Sequence, residues 1–227
     1  MIYITGDTHG ENDIAKLNAK NFDGKGLTKK DYVIILGDFG FIWKNEPDKT
    51  EEYWLKWFDK KPWTTLFLDG NHENFARLNA YPVEQWKGGK IHRITDSVIH
   101  LMRGQVFTLE DKTFFTFGGA KSIDAIYRTP NVSWWEEEIP NYAEVDEGFK
   151  NLLEHNNKVD YVLTHTCISD LVRIMVQNDF QDPTNKVLDA FHSVLDFKKW
   201  YFGHWHIDRN FGRYETLYDT VKPLDEI

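Results

Sequence analysis

Five short apolar runs in this chain of 227 residues stop on polar residues of one chemical kind. Tyr3–Thr5 runs into Gly6-Asp7-Thr8-His9-Gly10, and Tyr32–Leu36 into Gly37-Asp38. Thr64–Leu68 precedes Gly70-Asn71-His72-Glu73. Asp160–Leu163 is followed by Thr164-His165, and Lys199–Phe202 by Gly203-His204-Trp205-His206. Each run is short and rich in β-branched and aromatic residues, so each reads as a strand. The polar tips hold carboxylates, imidazoles and one amide, all of which ligate metal ions. On an extended strand, His204 and His206 would point to one side and Trp205 to the other.

Between these strands the first half of the chain alternates with helix-like segments over Asn12–Lys20, Lys49–Lys60 and Asn74–Ala80. Such β-α-β-α-β order predicts a parallel or mixed sheet with helices against it, and open sheets of this kind place ligands beyond the carboxyl ends of their strands. In the middle, Lys90–Arg93, Ser97–Met102, Gln105–Leu109 and Thr113–Phe117 read as consecutive strands of a second sheet, with turns at Arg103-Gly104 and Glu110-Asp111. After Gly118-Gly119 an irregular stretch, Ser122–Pro140, carries Tyr127, Arg128, Trp134, Trp135 and a run of glutamates. It reads either as a substrate-covering loop or as a packed surface excursion. Helices are expected over Asn141–Glu154, Ile168–Gln177 and Lys186–Leu195, and a last strand over Asn210–Tyr218. With no internal repeat or linker, residues 1–227 read as one domain with two sheets.

Composition narrows the class. The chain is 41% hydrophobic and 15% aromatic with dispersed charge, which fits a globular protein and excludes a disordered one. No apolar run approaches the roughly 20 residues of a membrane span. The strand-like start without a signal core and the single cysteine, Cys167, lead us to expect a cytoplasmic protein. A formal charge of −9 disfavours nonspecific nucleic-acid binding, which needs concentrated Lys and Arg.

Taken singly, the fragments have ordinary explanations. Asp7 can cap a helix, Gly37-Asp38 is a common turn pair, and Asn71 can cap the short helix near Asn74. Taken together, in order and each after a strand, they are specific. The set Asp-x-His, Gly-Asp, Gly-Asn-His-Glu, Thr-His and Gly-His-x-His, from Asp7 to His206, resembles the calcineurin-like metallophosphoesterases, with some likeness to short bacterial and phage members.

The resemblance implies an α+β fold, an α/β/β/α four-layer sandwich of two mixed sheets flanked by helices, with a binuclear metal centre on loops at one end. By motif, Asp7, His9 and His206 would hold one ion and Asn71, His165 and His204 the other. Asp38 would bridge both, and His72 would act on substrate. A donor set of this kind suits two divalent ions, Mn²⁺ foremost, with Fe, Zn²⁺ or Ni²⁺ as alternatives. The implied reaction is hydrolysis of a phosphate ester by direct attack of hydroxide held between the ions, His72 assisting the leaving group. The expected substrate is a small-molecule or nucleotide-like ester; a nuclease or nucleic-acid phosphatase and a catalytically silent scaffold are the alternatives. His92, His100, His155 and His192 fall outside the pattern and read as structural or exposed.

One departure stands out. In the protein Ser/Thr phosphatase branch the second motif continues with an Asp that orients the catalytic histidine and an Arg that grips phosphate. Here Phe41 and Ile42 occupy those places. Arg77, Arg103, Lys121 and Arg128 are the candidate replacement cations, Arg128 foremost because aromatic residues surround it. Trp43, Trp134 and Trp135 read as core or lid packing more readily than as a nucleobase platform.

Overall fold

Strands that are apolar on both faces need cover on both sides, and this chain supplies it with four layers. The computed structural model describes residues 1–176 and 182–224. In chain order its strands are β1 (Ile2–Thr5), β2 (Tyr32–Ile35), β3 (Thr64–Phe67), β4 (Val83–Trp86), β5 (Gly89–Thr95), β6 (Val98–Leu101) and β7 (Gln105–Leu109). Then come β8 (Lys112–Phe117), β9 (Lys158–Thr164), β10 (Asp196–Phe202), β11 (Arg209–Phe211), β12 (Tyr214–Thr216) and β13 (Lys222–Pro223). The helices are α1 (Lys49–Asp59), α2 (Phe75–Leu78), α3 (Tyr142–Glu154), α4 (Ser169–Val176) and α5 (Pro183–His192).

The first sheet has the order β13-β1-β2-β3-β6-β5-β4 and the second β11-β12-β10-β9-β8-β7. Strands β1, β2, β3 and β6 run parallel, as do β8, β9, β10 and β12, while the remaining strands are antiparallel. Period-two alternation sorts the side chains. From β2, Ile34 enters the core between the sheets with Ile4, Leu66, Phe114, Tyr161 and Tyr201. Its neighbours Val33 and Ile35 face outward beneath Leu17 and Phe58 of α1. On the far side Val162, Trp200 and Phe202 pack under Leu152 of α3, Leu171 of α4 and Phe191 of α5. The architecture is therefore the expected α/β/β/α sandwich of two mixed sheets.

Local sequence explains where the helices begin. Asn141 and Glu144 form a reciprocal capping box on α3, and Asp182 caps α5 just ahead of Pro183. Asn74 caps α2, so Asn71 is left free for another task.

Several expected elements differ. Asn12–Lys20 forms only a 3-10 turn over Ile14–Leu17. Its continuation fails because the Asn18 side chain accepts from the amides of Lys20 and Asn21, a local turn that competes with helix. The four middle strands do not make one sheet. β5 and β6 join the first sheet through β3, and the chain crosses at Gly104, which has φ of 70°, before β7 and β8 join the second. Apolar alternation is the same on either sheet, so the crossover was invisible locally. Asn210–Tyr218 is a hairpin, β11 and β12, turning at Gly212 with φ of 74°. The edge strand β4 was not anticipated, because its side chains are only half-buried or exposed. α5 starts three residues before the expected Lys186. α4 spans Ser169–Val176, and the expected last residue, Gln177, lies outside the described residues.

Candidate metal centre

Strands β1, β2 and β3 are parallel neighbours in one sheet, and β9 and β10 are parallel neighbours in the other. Their carboxyl ends open on the same edge of the sandwich. All eight residues expected at the site are brought together there: Asp7, His9, Asp38, Asn71, His72, His165, His204 and His206.

The loops achieve this with strained backbone. His9, Asp38, His204 and His206 all adopt the left-handed region, with φ of 44°, 47°, 68° and 50°. Each such residue costs on the order of 1–3 kcal/mol and persists only where its surroundings hold it. The amides of Thr8 and His9 donate to the Asp38 carbonyl at 3.1 and 2.8 Å, locking the first two loops together. Gly70 and Gly203 are required for contact: a Cβ at Gly70 would lie 2.1 Å from Asp38 Oδ1, and one at Gly203 would lie 2.2 Å from Asp7 Oδ1. The expectation that His204 and His206 share a strand face is corrected, since β10 ends at Phe202. Two left-handed residues, not pleat alternation, turn one ring towards His165 and the other towards Asp7.

The ligand atoms form two groups joined by a carboxylate. Asp7 Oδ2 lies 3.3 Å from His206 Nε2 and 4.0 Å from His9 Nε2. His165 Nε2 lies 3.2 Å from His204 Nδ1 and 3.3 Å from Asn71 Oδ1. Asp38 stands between them, with Oδ2 3.2 Å from His9 Nε2 and Oδ1 3.4 Å from His165 Nε2. Distance also draws His72 into a grouping with His9 and Asp38. Its contact with a cation sets it apart: Nδ1 is 2.8 Å from Asp38 Oδ2, while Nε2 is 2.8 Å from Arg128 Nη2.

Charge in this cluster is unbalanced in favour of cations. Burial pushes the Asp7 and Asp38 carboxyls up, but neighbouring imidazoles, His165 first, outweigh it and hold both below the usual range. In return His165 is raised to about 10 and His9 to about 9, because the carboxylates overcome their burial. His204 goes the other way, to about 3, through burial and the charge of His165. Two buried carboxylates thus recruit protons onto two rings while a third ring keeps its lone pair bare. Carboxylate, imidazole and amide oxygen without thiolate is the donor set of hard and borderline divalent metals, and binding them releases those protons. The residues fit such ions.

A family model for the calcineurin-like phosphoesterases matches residues 1–208. The chain belongs to that family. A search of curated proteins finds no match. Membership implies metal-dependent hydrolysis of phosphate esters, and the clustered His and Asp residues can hold the metal.

In this family member further hydrogen bonds hold Asp7, His9, Asn71, His165 and the Asp38 loop in place, and most of them escaped sequence reasoning. Asp13 Oδ2 takes His9 Nδ1 at 2.7 Å, and the Leu36 carbonyl takes His165 Nδ1 at 2.8 Å. The His204 amide donates to Asp7 Oδ1 at 3.0 Å. Asn71 Nδ2 donates to Ser122 Oγ at 3.3 Å, and Ser122 Oγ donates to Glu138 Oε2 at 2.7 Å, so the Asn71 carbonyl oxygen is left to face His165. Glu73 accepts from the Phe39 amide at 2.7 Å and thereby props the strained Asp38 loop. Such partners orient metal ligands and set their basicity. Only Asp13, four residues after His9, and Glu73, beside His72, carried a local signal.

The candidate cations also separate. Arg77 is paired with Glu51 at 2.6 Å, and buried Arg103 with Asp69 at 2.6 Å. Lys121 is exposed, and its amide donates to Asp182 Oδ2 at 3.0 Å. Arg128 lines a cavity of about 500 Å³ together with Asp38, Asn71, His72, His204 and His206. Trp135 is buried against Trp43, ring centroids 5.4 Å apart, and Trp134 Nε1 donates to Glu138. Both pack the excursion, while Trp43 borders His72 at 5.8 Å between centroids.

Proposed function

We propose that this chain is a phosphatase or phosphodiesterase that uses two divalent cations, Mn²⁺ foremost, on small-molecule or nucleotide-like phosphate esters. Asp7, His9 and His206 hold one ion, Asn71, His165 and His204 the other, and Asp38 serves both. The observation that carries the reading is the Asp38 carboxylate, whose two oxygens face different imidazole clusters from a fully buried position. When bound, the cations supply Lewis-acid stabilisation of phosphoryl charge and make a nucleophile available at neutral pH.

The chain's own groups do the rest. His72 Nδ1 lies 2.8 Å from Asp38 Oδ2 and 3.0 Å from Asn71 Nδ2, and Nε2 lies 2.8 Å from Arg128 Nη2 where the ring lines the cavity. With Nδ1–H held by Asp38, Nε2 has a proton to give only after the ring takes one from solvent; that proton then passes to the leaving oxygen as the ester P–O bond breaks, and the ring returns to its neutral form. The walls beyond the ligands, Ile123, Val176 and Trp205, are apolar and suit the body of an ester rather than bulk water. The charge of −9 supports small esters over long nucleic acids. Residues 1–227 act as a single metallophosphoesterase domain, and a cytoplasmic location accords with the lone buried cysteine. Among the described residues no helix is long and apolar enough to cross a membrane.

The test is metal analysis of purified protein followed by chromogenic phosphomonoesters and phosphodiesters with added Mn²⁺. About two metals per chain and turnover of one ester class is the expected result. Metal-loaded protein inert towards every ester would overturn it, and activity on long strands that climbs steeply as salt falls would move the assignment to a nuclease.

A further inference from the structure

Phe41 and Ile42, which stand where the protein Ser/Thr phosphatase branch places an orienting Asp and a phosphate-gripping Arg, are buried beside Phe39 and Phe58 in the core under α1. No cation reaches the site from that loop. One does arrive from the irregular excursion Ser122–Pro140. Arg128 is the one Lys or Arg among the described residues lining the 500 Å³ cavity, and its side chain is 15% exposed. Its Nε is held by Asp124 Oδ1 at 2.8 Å, and Nη2 lies 2.8 Å from His72 Nε2. Nη1 has only a long contact, 3.4 Å, to the Ser133 carbonyl. A guanidinium carries five N–H donors, so the Nη edge retains donors for a second partner.

The segment that presents Arg128 is built rather than loose. Glu138, buried at 1% exposure, accepts from the Ser122 amide at 2.8 Å, from Ser122 Oγ at 2.7 Å and from Trp134 Nε1 at 2.8 Å. Arg103, itself clamped on Asp69, donates to the Glu137 carbonyl at 2.9 Å. Both ends of the excursion are therefore fastened, and Arg128 projects from its middle to the proton-handling nitrogen of His72.

We propose that Arg128 is the cation that binds a non-bridging phosphoryl oxygen of the substrate, exchanging its contact with His72 for that oxygen and so leaving Nε2 to serve the leaving group. The excursion Ser122–Pro140 is then a substrate-binding wall that replaces the missing arginine of the second motif. This rests on the phosphoesterase reading above. A planar fork suits a phosphoryl group better than a point charge does, so lysine should not substitute fully.

The experiment compares wild type, Arg128→Ala and Arg128→Lys, each loaded with Mn²⁺. Calorimetric affinity for orthophosphate, KM and kcat on a chromogenic ester, metal content and melting temperature are measured for all. Arg128→Ala should keep wild-type metal content and melting temperature while orthophosphate affinity falls about tenfold to a hundredfold and KM rises in parallel. Arg128→Lys should recover only part of the affinity. Unchanged phosphate affinity, whether or not kcat falls, overturns the proposal, as does an affinity loss matched by lost metal or stability. Wild type that binds metal and phosphate but hydrolyses nothing sinks the hydrolase reading and leaves the Arg128 comparison readable; wild type that takes up no metal sinks both.

Discussion

At the scale of single residues, this site separates groups that hold charge from groups that aim it. His72 meets the ligand set through Nδ1, at Asp38 and Asn71, and turns Nε2 to Arg128. His72→Asn should therefore retain both metals and lower kcat by about 10²–10⁴-fold, measured by metal analysis beside steady-state kinetics. Equal loss of metal would make it a ligand. Asp13 aims without ligating, through its 2.7 Å contact to His9 Nδ1. Asp13→Asn should weaken metal affinity by about 10–100-fold, read by competition with a chelating dye, while circular dichroism stays unchanged. Affinity equal to wild type would show that the His9 ring is held by packing alone.

At the scale of elements, β5 and β6 carry a pair that the metal chemistry does not use. His92 and His100 face each other across the strands, Nδ1 to Nδ1 at 3.1 Å, and His100 Nε2 reaches Asp69 at 3.1 Å. Burial and the neighbouring His100 push His92 down to about 4. The unfolded chain therefore takes up a proton near pH 6.5 that the native sheet refuses until about pH 4, so this residue's contribution falls as pH drops through that window. The loss between pH 7 and pH 5 is on the order of 2 kcal/mol. His92→Gln, which keeps a polar partner and cannot titrate, should flatten that part of the pH dependence of the urea midpoint. Identical wild-type and variant slopes would refute it. The sharing of β5 through β8 between two sheets belongs to this scale as well: each strand was legible from its alternation, but the sheet it joins was not.

At the scale of the whole molecule, five loops from two sheets meet at one edge, so cations bound there would tie together segments as distant as Asp7 and His206. Removing them leaves Asp7 beside Asp38 in the protein interior, where the Asp38 charge disfavours that of Asp7 and only the imidazoles, His165 first, offset it. Chelation should lower the melting temperature, and restoring Mn²⁺ to about 100 times its dissociation constant should return about 2.7 kcal/mol of stability. A melting temperature indifferent to chelator would mean that the loops are held without metal.

The four-layer class came as what the family resemblance implies; the sequence by itself determined the strand-then-ligand rhythm and the identity of the residues at the edge. Those signals are local, consisting of residue type, period and position after a strand. What only the tertiary structure decided is contact between segments far apart in the chain. It turned His204 and His206 through left-handed backbone, directed the Asn71 oxygen inward by way of Ser122 and Glu138, and carried Arg128 across to His72. The physical reason is that hydrogen bonds and charge act over a few ångströms in space, whatever the distance along the chain, and a periodic pattern holds no record of which distant partner will lie within that reach.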